Sequence, residues 1–282
     1  MKEALYWEKE GSKVHCLLCP HNCRIVSGLT GVCGVRQNID GKLYTLVYGE
    51  TTSVSLDPVE KKPLYHYHPG EQILSLGTKG CNFKCPFCQN WAISQDLNVP
   101  TEAITSQWVI DKAKECKSFG IAYTYNEPFI WYEFVLDTAK LAKEQGLENV
   151  LVTNGYVNPK PLEEMLPFIG AMNIDLKSMD DDFYGKYCKG TLEPVLNTIK
   201  RSVKSCHVEL TNLIIPGLND SEDNLIRLVD WVYNNVGADV PLHFSRYFPC
   251  YKLNQPVTPK STLDLACKIA KKKLKNVYVG NV

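Results

Sequence analysis

The sequence predicts an α/β protein: a partial, open (βα)6 barrel over residues 71–282 behind a small N-terminal cysteine-rich β module over residues 1–70. Three observations predict it. From Ile73 onward, strand-like runs alternate regularly with helix-like segments, the pattern of a parallel sheet with helices outside. About six strands precede the last helix, roughly two fewer than a closed eight-stranded barrel needs. The segment ahead of them holds four of the 12 cysteines and two short strand-like runs.

The elements follow in order. Leu43 to Val47 and Thr52 to Leu56 read as an antiparallel pair around Gly49. Ile73 to Leu76 is the first barrel strand, and a cysteine loop follows it. Ser106 to Ser118 is a helix, with Trp108, Val109, Ala113 and Cys116 at helical spacing, stopping near Gly120. Ile121 to Tyr125 is a β-rich run, Phe129 to Glu144 a helix closed by Gly146, and Val150 to Thr153 a strand. Pro161 to Phe168 is a short helix, Met172 to Leu176 a strand and Pro194 to Lys204 a helix. His207 to Ile215 is a strand ended by Pro216-Gly217. Ser221 caps a helix running to about Asn234. Val240 to Phe244 is a strand, Thr262 to Leu274 the last helix, and Val277 to Val279 a final strand.

Lys and Arg number 31 and Asp and Glu 31. That balance argues against a protein built mainly to grip nucleic acid or anionic lipid. Between Lys252 and Lys275 there are seven Lys against one Asp, which reads as solvated helix faces. The first residues carry no basic region followed by an apolar run, so no secretory signal is expected. No stretch approaches the roughly 18 apolar residues of a membrane span. A cytoplasmic location is expected, where thiols stay reduced and clustered cysteines bind metal or do chemistry. A chain this long buries roughly 75% of its unfolded surface and needs no disulfides to hold a core.

Seven cysteines fall in two sets: Cys16-x2-Cys19-x3-Cys23-x9-Cys33 and Cys81-x3-Cys85-x2-Cys88. Cys116, Cys188, Cys206, Cys250 and Cys267 stand apart and read as packing. The second set lies directly after the first barrel strand, and βα folds gather ligands at the carboxyl ends of strands. Three close thiolates suit a soft metal or an iron–sulfur cluster. On a four-iron cube they leave one iron without a protein ligand. The bland alternative is a zinc site completed by a distant His or Cys.

The loop Cys81-Asn82-Phe83-Lys84-Cys85-Pro86-Phe87-Cys88 on a βα chain resembles the radical S-adenosylmethionine (SAM) superfamily. The resemblance implies a [4Fe–4S] cluster on Cys81, Cys85 and Cys88, SAM on the unique iron, and reductive cleavage to a 5′-deoxyadenosyl radical. Strand ends further along match in order. Tyr125-Asn126-Glu127-Pro128 is similar to the Gly-Gly-Glu-Pro motif of glycyl-radical activases; its bland alternative is a turn with Pro at the first helical position. Thr153-Asn154-Gly155 is similar to their Asp-Thr-Asn-Gly, with Val152 in place of the Asp. Asp175-Leu176-Lys177 is similar to their Asp-x-Lys. The resemblance thus implies SAM contacts from Phe87, Asn126, Glu127, Asn154, Asp175 and Lys177. An ion pair at the barrel rim is the other meaning of Asp175 and Lys177.

Longer stretches narrow the match: Leu17 to Cys23, Asp57 to His66, Cys88-Gln89-Asn90, and His243-Phe244-Ser245-Arg246-Tyr247-Phe248-Pro249. They resemble the AmmeMemoRadiSam-system radical SAM enzymes, relatives of the pyruvate formate-lyase activating enzymes. Implied partners are an electron donor such as ferredoxin or flavodoxin, and Memo-like and AMMECR-type proteins. His243 and Arg246 are substrate-pocket candidates at the sixth strand. Cys16, Cys19, Cys23 and Cys33 hold a second metal, with structural zinc taken first and an auxiliary [4Fe–4S] cluster as the alternative. The expected activity is hydrogen abstraction from an unidentified substrate by an oxygen-sensitive enzyme. The alternatives are an activase that installs a glycyl radical on a partner protein, and a non-catalytic zinc-stabilised binding protein.

Overall fold

The computed structural model describes residues 1–282. Its main sheet contains strands β1 (Gln72–Gly77), β2 (Gly120–Tyr123), β3 (Glu148–Thr153), β4 (Ala171–Asp175), β5 (His207–Ile214), β6 (Leu242–Arg246) and β7 (Val277–Gly280). Each pairs in parallel with the next in chain order. The strand Ser53–Pro58 adds antiparallel to the outer edge of β1, making the sheet eight-stranded and open. The connections carry α1 (Ser106–Glu115), α2 (Tyr132–Glu144), α3 (Pro159–Met165), α4 (Leu192–Ser202), α5 (Glu222–Asn235) and α6 (Lys260–Ala270). This is the partial barrel expected from the alternation. No helix is long and apolar enough to cross a membrane.

The sequence dictates these elements locally. Strand interiors such as Ile121-Ala122-Tyr123 are apolar without alternation because both faces are covered. The helices are amphipathic: α5 buries Leu225, Leu228, Val229 and Val232, and its cap Ser221 accepts from the Asn224 amide at 3.2 Å. Helix α6 ends at Ala270, and Leu274 is buried from the turn that follows rather than from the helix.

The expected pairing around Gly49 does not form. Lys42–Thr45 instead pairs antiparallel with Arg36–Ile39, and Lys2–Glu3 adds to its other side. The reason lies in Asp40-Gly41, both at positive φ (51° and 85°), which make the two-residue turn of a tight hairpin. Thr52 onward is then free to protect the exposed edge of β1. A second antiparallel sheet, Trp7–Glu10, Lys13–Cys16 and Arg24–Val26, completes the N-terminal module.

Module and barrel share one apolar core, in which Val14, Leu18, Val35 and Leu43 join the barrel's side chains. A buried ion pair fastens them. Arg36 and Glu133 of α2 are each 1% exposed and meet at 2.9 and 3.1 Å. Glu133 also accepts from the Leu5 amide at 2.8 Å, and Arg36 donates to the Leu5 carbonyl. Such a pair is stable only while both partners and their hydrogen bonds are in place.

Candidate active site

One cavity of about 570 Å³ runs into the barrel lumen. At one end lies the loop after β1. Gly80 holds φ at 91°, and the loop is clamped from both sides. Asn126 accepts from the Thr78 amide at 3.1 Å and donates to the Gly80 carbonyl at 2.8 Å. Asn82 donates to the Tyr156 carbonyl, and Asn90 to the Tyr125 carbonyl, each at 2.8 Å. Cys81, Cys85 and Cys88 all line the cavity, with Phe87 beside them. The Phe83 amide donates to Cys81 Sγ at 3.4 Å, and Ser94 Oγ lies 3.1 Å from Cys88 Sγ.

The other strand-end residues converge on this loop. Asn154 Nδ2 lies 3.8 Å from Cys81 Sγ and donates to Asn82 at 2.9 Å. Glu127 is buried and accepts from the Phe129 amide (3.0 Å), the Thr153 hydroxyl (2.7 Å) and the Asn154 amide (2.8 Å). Burial pushes its carboxyl up to about 7 against the pull of those donors. It also caps the short helix beginning at Pro128, so the structural and site readings of that motif hold together. Lys177 Nζ meets Asp175 at 2.9 Å. Burial opposes its charge, but Asp175 and the thiols of Cys85 and Cys188 raise it well above the ordinary lysine value. Phe87, Asn126, Glu127, Asn154, Asp175 and Lys177 lie around one space, all but Phe87 with polar groups for a zwitterionic ligand.

The deeper end holds residues the motif reading missed. Glu209, in the first half of β5, is fully buried. It accepts from His243 Nε2 at 2.6 Å, His207 Nε2 at 3.0 Å and the His66 amide at 2.7 Å. Burial alone raises a carboxyl, yet these donors lower this one to about 2. His243 is wedged between Tyr65 (4.7 Å between rings) and Tyr278 (5.2 Å) and lines the cavity. Tyr65 and His66 belong to the segment between Pro58 and β1, which crosses beneath the strands; Asn173 of β4 donates to the Pro63 carbonyl there. Asp57 likewise binds Lys62 and the Tyr125 hydroxyl, each at 2.8 Å. Glu209 shares a strand face with Thr211 and Leu213, which line the cavity.

Arg246 does not join this site. On β6, His243 and Ser245 face the lumen, and Arg246 alternates away. Its Nε donates to the Thr258 carbonyl at 2.9 Å and its guanidinium lies over Phe248. Two of the scattered cysteines also sit differently from plain packing. The fully buried Cys188 thiol faces Cys85, and Cys250 Sγ lies 3.5 Å from the Cys88 carbonyl.

Residues 75–229 match the family model of the radical SAM superfamily. The chain belongs to that superfamily. It is 46% identical over its whole length to the uncharacterized protein MJ0808 of Methanocaldococcus jannaschii, covering 86% of that protein. It is 27% identical to the pyruvate formate-lyase-activating enzyme of Clostridium pasteurianum over 55% of this chain and 67% of that one. Among solved structures, a radical SAM methyltransferase from Sphaerobacter thermophilus superposes with a TM-score of 0.59 and 15% identity, over 76% of this chain and 67% of that one.

The protein is therefore an enzyme of the radical SAM family, and the family implies a [4Fe–4S] cluster and bound SAM. The residues fit both. Three soft thiols, those of Cys81, Cys85 and Cys88, open onto one cavity, a donor set that suits an iron–sulfur cluster. Cys81, Cys85 and Cys88 would hold the cluster. Glu127, Asn154, Asp175 and Lys177 offer opposite charges and amide groups at the right side of it for an amino acid moiety.

Proposed function

We propose that this chain binds SAM against the Cys81-Cys85-Cys88 loop and directs hydrogen abstraction at a substrate held in the barrel lumen. The observation that carries the reading is the single cavity joining the three thiols, the charged strand ends and His243, which Glu209 holds from behind. When bound and reduced by one electron, cluster and SAM supply a 5′-deoxyadenosyl radical. The chain's own residues do the positioning. Asp175 and Glu127 receive the ligand's ammonium, and Lys177 its carboxylate. Asn126, Asn82 and Asn90 keep the loop rigid. The segment Val59 to Glu71 excludes water from beneath the strands. His243, oriented through Nε2 by Glu209, presents its remaining edge to a polar group of the substrate.

The electron comes from a low-potential donor such as ferredoxin or flavodoxin, the enzyme works in the reducing cytoplasm, and air inactivates it. Cys16, Cys19, Cys23 and Cys33 hold a second metal, and Memo-like and AMMECR-type proteins are the first partners to test by co-purification. Anaerobic reconstitution tests the core of this reading. It should give a brown protein that forms 5′-deoxyadenosine from SAM when reduced; absence of both iron-based absorbance and product overturns it. Likeness to the activating enzyme from Clostridium pasteurianum over about half the chain favors a second reading, an activase for a partner's glycine. A glycyl-radical EPR signal in a co-purified partner would select it.

A further inference from the structure

We infer that His243 is a catalytic base in the barrel lumen, and that the substrate is an uncharged molecule carrying a hydroxyl on the carbon that loses hydrogen. The state of the imidazole stands on the deep end of the cavity alone; the substrate class rests on the radical SAM reading above.

The hydrogen bonds fix the tautomer. Glu209 is fully buried, and besides both histidines it accepts from the backbone amides of Tyr65 and His66. A carboxylate satisfied by amide donors stays ionised and can only accept. His243 Nε2, 2.6 Å from Glu209 Oε2, therefore carries the ring's proton, and Nδ1 holds a free lone pair. The polar side-chain atoms that the fold seals without a partner are His15 Nε2, Arg36 Nε, Thr45 Oγ1, Ser202 Oγ and Asn212 Oδ1. His243 Nδ1 is neither one of these nor bonded within the protein, so it opens on the cavity that His243 lines.

The ring cannot turn away from the lumen. Tyr65 packs on it edge-on and Tyr278 stacks on it at 27°. Tyr278 is itself held, its hydroxyl 2.6 Å from His66 Nε2. The titratable groups around His243 are thus Glu209 and His207 from β5, Tyr65 and His66 from the crossing segment, and Tyr278 from β7. Among them Glu209 alone is an anion. A carboxylate bonded to the far nitrogen orients an imidazole and stabilises the imidazolium formed when the near nitrogen takes a proton.

The lining selects the substrate. Thr211 lies opposite His243 across the sheet, Ser245 is the next residue on the same strand face, and both line the cavity with Asn281. No cation is left to anchor a phosphate or carboxylate there. No arginine lines the cavity; Lys177 meets Asp175, and Lys61 and Lys62 both meet Asp57, with Glu60 beside them. An uncharged hydroxylated molecule fits such a wall. Its O–H faces Nδ1, and loss of that proton weakens the C–H bond on the same carbon. In the step, the carbon gives one proton with one electron, as a hydrogen atom, to the 5′-deoxyadenosyl radical. The hydroxyl proton passes to Nδ1, and the O–H electron pair stays on oxygen as a ketyl radical anion. His243 becomes an imidazolium balanced by Glu209, and no further oxidant or reductant enters.

The imidazole is tested on the full-length chain with diethyl pyrocarbonate, read peptide by peptide by mass spectrometry. His243 should be carbethoxylated although it is only 3% exposed, and about tenfold more slowly in Glu209→Gln. An unmodified His243 beside a modified, exposed His66 overturns the base, with or without a folded variant, and equal rates overturn the part given to Glu209. Neither result depends on SAM. The substrate class is tested on reconstituted, reduced enzyme with SAM and fully carbon-deuterated glycerol as the probe. Deuterium should enter 5′-deoxyadenosine, and roughly 100-fold less of it in His243→Phe. 5′-Deoxyadenosine without deuterium overturns the class, and equal deuterium in both proteins overturns the base. No 5′-deoxyadenosine at all, even without the probe, overturns the SAM reading and with it the substrate class, and leaves the carbethoxylation result standing.

Discussion

The two ends of the cavity are built by opposite means. At the cysteine loop, functional groups lie at the carboxyl ends of strands or just past them, on backbone that Gly80, Asn82 and Asn126 hold in place. At the deep end they come from within strands, and a single buried carboxylate, Glu209, organises them by accepting from two histidines and the amide below. The first end suits a ligand shared by a whole superfamily. The second presents Glu209 and His243, which lie outside the strand-end motifs that resemble the superfamily's SAM-binding residues.

The largest effect should come from breaking the loop end. Cys85→Ala should strip the loop's iron and take 5′-deoxyadenosine formation to background, measured by chromatography beside an iron assay. Asp175→Asn should keep the iron but weaken SAM binding. A charge-assisted bond of about 1.5–3 kcal/mol makes the loss roughly 10–100-fold, read by equilibrium dialysis. At the deep end Glu209→Gln should leave SAM cleavage without substrate unchanged while costing about 1–3 kcal/mol in urea unfolding. Its pH signature has a fixed sign. The folded carboxyl lies at about 2, below its ordinary 4.5. Its stabilisation is therefore complete above about pH 4.5 and fades as pH falls toward about 2. The metal-free variant should show a flatter urea midpoint across that range; an unchanged slope would remove Glu209 as the organiser. The smallest effect is expected from Arg246→Ala, about 1 kcal/mol or less, with 5′-deoxyadenosine formation unaltered.

The loop end was legible in the sequence because cysteine spacing and strand-end motifs are local. The barrel was legible because apolar runs and helical periods alternate. Glu209 was not, since a lone Glu in an apolar strand acquires meaning only when β6 brings His243 beside it. Arg246 was misplaced because adjacency to His243 in sequence means opposite faces in a strand. The pairing of the N-terminal strands failed on turn chemistry: Asp40-Gly41 was the hairpin signal, and Gly49 instead packs beneath the Ile104 carbonyl. The bond between His21 and the Asn82 carbonyl joins segments 61 residues apart, beyond the reach of any periodicity.

The Arg36–Glu133 pair bears on how the protein is made. The partners are 97 residues apart, so at roughly 5–20 residues per second the ribosome needs about 5–20 s to supply Glu133 after Arg36. Throughout that interval the cysteine-rich segment has left synthesis but lacks the carboxylate that seats it. Both cysteine sets precede Glu133 in the chain. Their thiols are therefore all synthesised before the latch can close, and the module stays unseated on the barrel until Glu133 has emerged.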